Sequence, residues 1–430
     1  MKILWIVNIL MGPLSEKING KRNGGLWMDA LLYDLKSNKD NNDVDIVVAT
    51  AYRTKKTVVA EENGIKFYAL PDDYAIYYNE NKKKNLDAWK ELIDKERPDI
   101  IHIFGTEFTH GLCALKVKGD IPAVIHLQGI MSAIVRFYQA GIPYKTIKKT
   151  LTFRDIIRRD GILSQQKKFY NAAEKEKEMI KLAGNVISEN EWANAYAKAV
   201  MPRVKIFMRA ESLNPVFKNF KWDINKTERQ SIMCTASGYT VKGLHVMLCA
   251  LALLKNKFNN VKLYVPGTPQ VSGKGFKSLV RKNGYVKHIE KLIRKLGLQE
   301  NIVWLGNLPQ EKLAEYYAES NVFVMCSAIE NHSNSLKEAM TVGMPCVSAA
   351  VGGITSYAKD EENALLYRFE EYEVLADKIS RIFENDNLAQ KLSVAAREKM
   401  LKLHDEKEIA EKTIKIYREL VADGKYTVKQ

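Results

Sequence analysis

Two carboxylates bracket a short polar segment, Glu330-Asn331-His332-Ser333-Asn334-Ser335-Leu336-Lys337-Glu338, in the last third of the chain. An apolar β-type run, Asn321 to Cys326, leads into it, and from Ser333 the pattern becomes helical. If Ser333 to Glu338 is helical, that stretch rises only about 8 Å. The free amides of Asn334, Ser335 and Leu336 would then lie between Glu330 and Glu338. Amides at a helix start favour an anion, and carboxylates accept hydrogen bonds from hydroxyls. The spacing suits a ligand that is anionic in its middle and rich in hydroxyls at both ends. The competing reading has Glu330 capping the helix and Glu338 on its solvated face.

Three other junctions bear on this choice. In Ala236-Ser237-Gly238-Tyr239-Thr240-Val241-Lys242-Gly243-Leu244, Lys242 sets a point charge where a strand gives way to a helix. Val351-Gly352-Gly353-Ile354 follows the next strand and permits close backbone approach. Near the front of the chain, Asn23-Gly24-Gly25-Leu26-Trp27 opens the first strongly patterned helix in the same way. A phosphate group bound by Lys242, Gly352 and Gly353 would make the two carboxylates hydroxyl acceptors, as a nucleotide-sugar requires.

The elements that must position these groups alternate regularly. Strand-type runs read at Lys2–Val7, Val44–Ala49, Ile65–Leu70, Ile100–Phe104, Ala123–Leu127, Asn185–Ser188 and Val204–Met208. A second set reads at Ser231–Thr235, Lys262–Pro266, Ile302–Gly306, Val322–Cys326, Cys346–Ala349 and Ala364–Tyr367. Amphipathic helical patterns lie between them, which predicts an α/β fold with two doubly wound parallel sheets. The pattern breaks at Leu213–Trp222, so residues 1–212 and 213–400 are expected as two Rossmann-like domains facing each other across a cleft. Residues 401–430 form a closing helix, with Ile409, Thr413, Tyr417 and Leu420 on one face and no strand after it.

Composition narrows the class. At 430 residues the chain exceeds one comfortable core, and 46% hydrophobic with 27% charged residues is globular usage. Five scattered cysteines without a C-x-x-C pair suggest neither a disulfide framework nor a zinc site and fit a reducing cytoplasm. No run approaches the roughly 20 apolar residues of a membrane span. The net charge of +15 implies attraction to something acidic. No helix-turn-helix or aromatic RNA-binding signature accompanies it, so nucleic acid is not the expected partner.

Together, Ser237–Leu244, Glu330–Pro345, Val351–Ile354 and Gly24-Gly25 resemble the retaining glycosyltransferases of family 4, which have the GT-B fold. The resemblance implies an acceptor-binding N-terminal domain, a C-terminal domain that binds a nucleoside-diphosphate sugar (UDP- or GDP-linked), and a last helix that crosses back. It also implies roles: Glu330 for the donor sugar's hydroxyls, Glu338 for the ribose, and Lys242 for the diphosphate. The backbone at Asn334, Ser335 and Leu336 would approach sugar and phosphate, with Gly25 facing the phosphates from the opposite wall. His126, in Val124-Ile125-His126-Leu127-Gln128-Gly129, matches a strand-end histidine near the transferred sugar. Many relatives carry an arginine about five residues before the lysine; here that place falls on Ser237 or Gly238. The implied reaction needs no cofactor or metal. A glycan or polyprenyl-linked acceptor, as in surface polysaccharide synthesis, is the implied partner.

Asp43-Val44-Asp45 matches the D-x-D of metal-dependent transferases but opens a strand, the wrong end for a ligand in a parallel sheet. His102 and His110 read as structural, while Glu107 between them could contact an acceptor. Gly267 to Lys274 nearly spells a phosphate loop, one residue too long, and reads as a basic surface loop. From Lys145 to Lys168, lysines and arginines interleave with Ile147, Leu151, Phe153, Ile156 and Ile157. Residue by residue this is a solvated helical face; as a group it suits an anionic membrane surface and a peripheral location on the inner face. Two alternatives stay open: a GT-B-type sugar-nucleotide epimerase, and a non-catalytic basic polyanion-binding protein.

Overall fold

The protein is described by a computed structural model covering residues 1–22, 27–37, 43–71, 80–236, 238–267 and 282–427. Gly24, Gly25 and Ser237 lie outside the described residues, as does nearly all of the basic loop after Gly267. Two compact units result. Met1–Ser132, Tyr170–Asn214 and His404–Gln430 form the first, and Ala133–Phe169 with Pro215–Leu403 the second.

The first unit holds β1 (Lys2–Ile6), β2 (Asp45–Tyr52), β3 (Val58–Glu62), β4 (Ile65–Pro71), β5 (Ile100–Phe104), β6 (Ala123–His126), β7 (Asn185–Ser188) and β8 (Lys205–Met208). Their order across the sheet is β3-β4-β2-β1-β5-β6-β7-β8. Every pairing is parallel except β3 with β4. Strands buried on both faces have no alternation to keep, so β1, β5 and β6 are almost continuously apolar. The sheet grows outward in both directions from β1 and β5, which makes their carboxyl ends the topological switch point. Asp45 starts β2, as the reading of Asp43-Val44-Asp45 as a strand opening requires.

The closing helix, Glu406–Thr427, belongs to this unit, and Ile409, Ile414, Tyr417 and Leu420 join its core beside Ile3 and Trp5. Its register is fixed by a buried polar contact. Trp5 Nε1 donates to the Tyr417 hydroxyl at 3.1 Å, and that hydroxyl lies 2.6 Å from His102 Nδ1. Burial holds His102 well below the usual histidine range, which favours a neutral ring beside that hydroxyl. His110 is likewise structural, with Nε2 3.0 Å from the Val7 carbonyl.

The second unit holds β9 (Glu228–Met233), β10 (Lys262–Pro266), β11 (Ile302–Gly306), β12 (Ser320–Met325), β13 (Cys346–Ala349) and β14 (Leu365–Tyr367), all parallel, in the order β11-β10-β9-β12-β13-β14. Its switch point lies between β9 and β12. Trp222 N donates to the Val342 carbonyl at 2.9 Å, while Arg397 donates to the carbonyls of Phe220 and Lys218 at 2.9 Å each. These bonds tie residues 215–222 to the second unit.

Ala133–Phe169, which the sequence reading leaves within residues 1–212, clusters with the second unit. The physical reason is a set of polar anchors. Thr240 Oγ1 donates to the Tyr138 carbonyl, and His245 Nε2 lies 2.8 Å from that of Ala140. Among the described residues, no helix is long and apolar enough to cross a membrane.

Candidate functional site

At the carboxyl ends of β9 and β12, a 3-10 turn at Thr240–Lys242 and the loop after Met325 are locked together. Gly243 adopts φ +71°, and a Cβ there would lie 1.7 Å from the Cys326 carbonyl oxygen, so only glycine lets the turn sit this close. Ala328 N donates to the Val241 carbonyl at 2.7 Å, completing the clamp. On the far side of the loop, Gly352 (φ +53°) would bring a Cβ to 1.9 Å from the Glu330 carbonyl oxygen. Gly353 N donates to that same oxygen at 3.0 Å. The two glycine-bearing turns thus hold the backbone on either side of Cys326–Glu330.

That clamp brings Lys242 Nζ to 2.6 Å from Glu330 Oε1. Ser327 Oγ donates to the same oxygen at 2.7 Å. Among the described residues both bonds converge on Oε1, and Oε2 takes neither. Burial works against the lysine's charge, but the Glu330 carboxylate outweighs it and raises the Lys242 pKa, so the ammonium is permanent. The Lys242 side chain keeps 31% of its surface exposed, enough to meet a ligand, and Glu330 keeps 13%.

The helix behind the loop spans Asn334–Val342, with Ser333 as its N-cap. Ser333 Oγ accepts the Leu336 amide at 3.4 Å, and the Leu336 side chain is wholly buried. This corrects the expectation that the Leu336 amide faces a phosphate: the cap uses it. Asn334 and Ser335, in the first turn, carry the amides that remain. Thr235 Oγ1, just beyond β9, donates to Ser335 Oγ at 2.9 Å and ties the helix start to the neighbouring strand end.

Glu338 lies one turn further on and, among the described residues, has no hydrogen-bond or ion-pair partner. Burial alone pushes its pKa up to about 7. Its charge in turn acts on the buried Tyr317 phenol, whose pKa burial first and Glu338 next push well above the ordinary value. A carboxylate placed this way gains from any ligand hydroxyl that donates to it. Gly238 (φ +122°) leaves open space around its α-carbon, as a backbone approached by a ligand would. The second unit therefore brings Lys242, Glu330, Gly352 and Gly353 together, with the helix that starts at Asn334 and Ser335 and carries Glu338 tied to the end of β9.

His126, the strand-end histidine, belongs to the first unit. It ends β6 but is wholly buried. Its Nδ1 lies 3.0 Å from Arg209 Nη2, its Nε2 3.7 Å from Glu211 Oε1, and its ring 5.4 Å from that of Trp27. β6 is buried along its whole length, so the imidazole is enclosed whichever face of the sheet it takes. His126, Glu189 and Glu211 bring ligand atoms within 4.8 Å of one another, the spacing of a metal cluster. The cation already at hand is Arg209: burial lowers its pKa, and the Glu211 and Glu189 carboxylates oppose that shift.

Comparison with known proteins bears on the fold of the chain and on the family likeness of its second unit. Residues 216–399 match the family model described as Glycosyl transferases group 1. Solved structures superpose over almost the full length. Sucrose-phosphate synthase from Thermosynechococcus elongatus is one, at TM-score 0.73 and 19% identity over 98% of this chain and 100% of that one. Anabaena HepE in complex with UDP and glucose is another, at TM-score 0.64 and 16% identity over 97% and 99%. This is a GT-B-fold chain related to the group 1 glycosyl transferases.

Similarity to curated relatives is confined to part of this GT-B chain. A D-inositol 3-phosphate glycosyltransferase of Streptomyces griseus is 28% identical over 36% of the chain and 32% of that protein. The N-acetyl-alpha-D-glucosaminyl L-malate synthase of Bacillus anthracis is 26% identical over 32% and 35%. The matches thus span about a third of those relatives' length. Sequence reasoning passed over Thr235 and Ser327, which set the Ser335 and Glu330 side chains; hydroxyls at strand ends give little signal by themselves. It named Glu107 only in passing. At the first unit's switch point Glu107 Oε1 accepts the Gly129 amide at 2.8 Å and Oε2 accepts Asn8 Nδ2 at 3.0 Å, beside Gln128.

Proposed function

We propose that the protein is a retaining glycosyltransferase. It moves a sugar from a nucleoside-diphosphate sugar to a hydroxyl of a glycan or polyprenyl-linked acceptor in surface polysaccharide synthesis. The observation that carries this reading is the 2.6 Å Lys242–Glu330 pair beside the amides of Asn334 and Ser335. As the glycosidic bond to phosphate breaks, negative charge grows on the leaving diphosphate. Lys242 and the helix start stabilise that charge with groups already in place, without a metal ion. Glu330 Oε2 accepts from a hydroxyl of the donor sugar, and Glu338 from the ribose. Retention follows if the acceptor hydroxyl attacks from the leaving-group face, with the departing phosphate taking its proton. Glu107, at the first unit's switch point, is the acceptor-side carboxylate.

Support comes from the group 1 family match and from structural likeness to a protein crystallised with UDP-glucose. The test is a thermal-shift panel of nucleoside diphosphates and their sugars against the wild type and Lys242→Ala. Stabilisation by one nucleoside diphosphate at millimolar concentration, lost in the variant, is expected. No stabilisation by any of them would overturn the reading in favour of a polyanion-binding protein.

A further inference from the structure

In the second unit the short helix Phe153–Arg158 is inside out. Phe153, Ile156 and Ile157 occupy i, i+3 and i+4, the spacing of a buried stripe, yet they are 76%, 62% and 65% exposed. The inward residue is the acid, Asp155, at 2%. Its Oδ2 accepts the Thr152 amide at 2.9 Å, while Thr152 Oγ1 accepts the Asp155 amide at 3.2 Å, a reciprocal capping box. Asp155 also packs at the start of the helix Gly284–Leu296, where a Cβ on Gly284 would lie 2.9 Å from its Oδ2. The polar side of the short helix is thereby fixed inward, and its apolar stripe has no choice but to face out. Leu151, in the preceding turn, extends the stripe and is 47% exposed.

The exposed charges on either side of this stripe in the chain are of one sign. Lys148 and Lys149 are exposed on one flank, and Arg158 and Arg159 on the other. The two acids of the segment are spent: Asp155 is buried in its cap, and Asp160 is paired with Arg154 at 2.7 Å. An aromatic and three aliphatic side chains flanked along the chain by exposed cations match the boundary between lipid headgroups and acyl chains. A duplex or an acidic peptide would satisfy the cations and leave the apolar stripe wet.

We propose that Leu151–Arg159 docks the protein on an anionic lipid bilayer, with Phe153, Ile156 and Ile157 entering the headgroup boundary. The inference extends the reading of a lipid-linked acceptor by naming the surface that would bring the enzyme to it. The test is co-sedimentation of the full chain with phosphatidylcholine vesicles, with and without phosphatidylglycerol, at low and high salt. Parallel runs use F153S/I157S and K148Q/K149Q, and all three proteins are assayed for their thermal shift with nucleoside diphosphate.

Wild type is expected on the anionic vesicles only, and released by salt. F153S/I157S should bind about tenfold less or weaker, and K148Q/K149Q should bind less with a shallower salt dependence. Both should melt as the wild type does, with its nucleotide shift, because the replaced side chains are exposed. Equal binding of F153S/I157S, equal binding of wild type to neutral vesicles, or a wild-type dimer that F153S/I157S converts to monomer would each overturn the proposal. RNA binding that survives F153S/I157S without vesicle binding would do the same. A missing nucleotide shift in the wild type would sink the donor reading and leave this one standing.

Discussion

Glu330→Ala is expected to lower sugar transfer on the order of 100-fold while nucleoside-diphosphate affinity stays within about threefold. The geometry separates the two effects. Glu330 Oε1 is engaged by Lys242 at 2.6 Å and Ser327 at 2.7 Å, so the oxygen left for a ligand is Oε2. Removing the carboxylate takes away a hydroxyl acceptor for the sugar but frees the ammonium for the phosphates. Lys242→Ala acts in the opposite sense. It removes the cation and leaves a carboxylate only 13% exposed facing an anionic ligand. Loss of one charge-assisted contact should weaken nucleoside-diphosphate binding by about tenfold to a hundredfold. Titration calorimetry with donor-turnover assays on both variants checks the split. Equal losses of binding in the two variants would show that Glu330 holds the nucleotide and not the sugar.

The second large effect is a pH dependence through Glu338. Burial raises its pKa from 4.5 to about 7, so near neutrality the unliganded group is partly protonated. Hydroxyls donating to it favour the ionised form, so nucleotide binding must expel the proton. Affinity should rise with pH up to about 7, by at most about tenfold per unit, and then level off. Nucleotide phosphates titrate in a similar range, so the diagnostic quantity is the difference between wild type and Glu338→Gln, which lacks the carboxylate.

For the unliganded protein the linkage has the opposite sign. Between 4.5 and about 7 the folded state holds a proton that the unfolded chain has released. Stability from this group is therefore full below 4.5 and is lost as pH rises through 7. Melting temperatures of wild type relative to Glu338→Gln should fall across that window. Superimposable pH profiles for the two proteins would remove Glu338 from the site.

Much of this architecture was legible because parallel strands buried on both faces are written as apolar runs. Lys2–Ile6 and Cys346–Ala349 are cases where composition and position leave little choice. The strand Val58–Glu62 was missed because it is an edge strand with a half-exposed pattern. The signal for it was present: Asn63 and Gly64 both adopt positive φ, 52° and 73°, the turn that joins it to Ile65–Pro71.

In the site, Lys242 and Glu330 were legible as charges at strand ends, and the glycine after each turn marked a close approach. Two details were not. Whether Leu336 offers its amide to a ligand depends on the rotamer of the Ser333 cap, which spacing does not specify. The surroundings of His126 were not legible either, because a strand-end position says nothing about which distant residues enclose the side chain. Its neighbours Trp27, Arg209 and Glu211 come from distant parts of the chain. Ala133–Phe169 shows the same limit, since chain order put it in one domain and a few polar anchors hold it in the other.

The most direct test of the central claim follows the donor's anomeric proton by NMR. The protein is incubated with the nucleoside-diphosphate sugar that stabilises it best, a lipid-linked or glycan acceptor, and a metal chelator. The account predicts loss of the donor signal, release of one nucleoside diphosphate per sugar transferred, and a product anomeric signal of the same configuration as the donor. Conversion of the donor sugar to its epimer with no nucleotide released, or a product of inverted configuration, would contradict it.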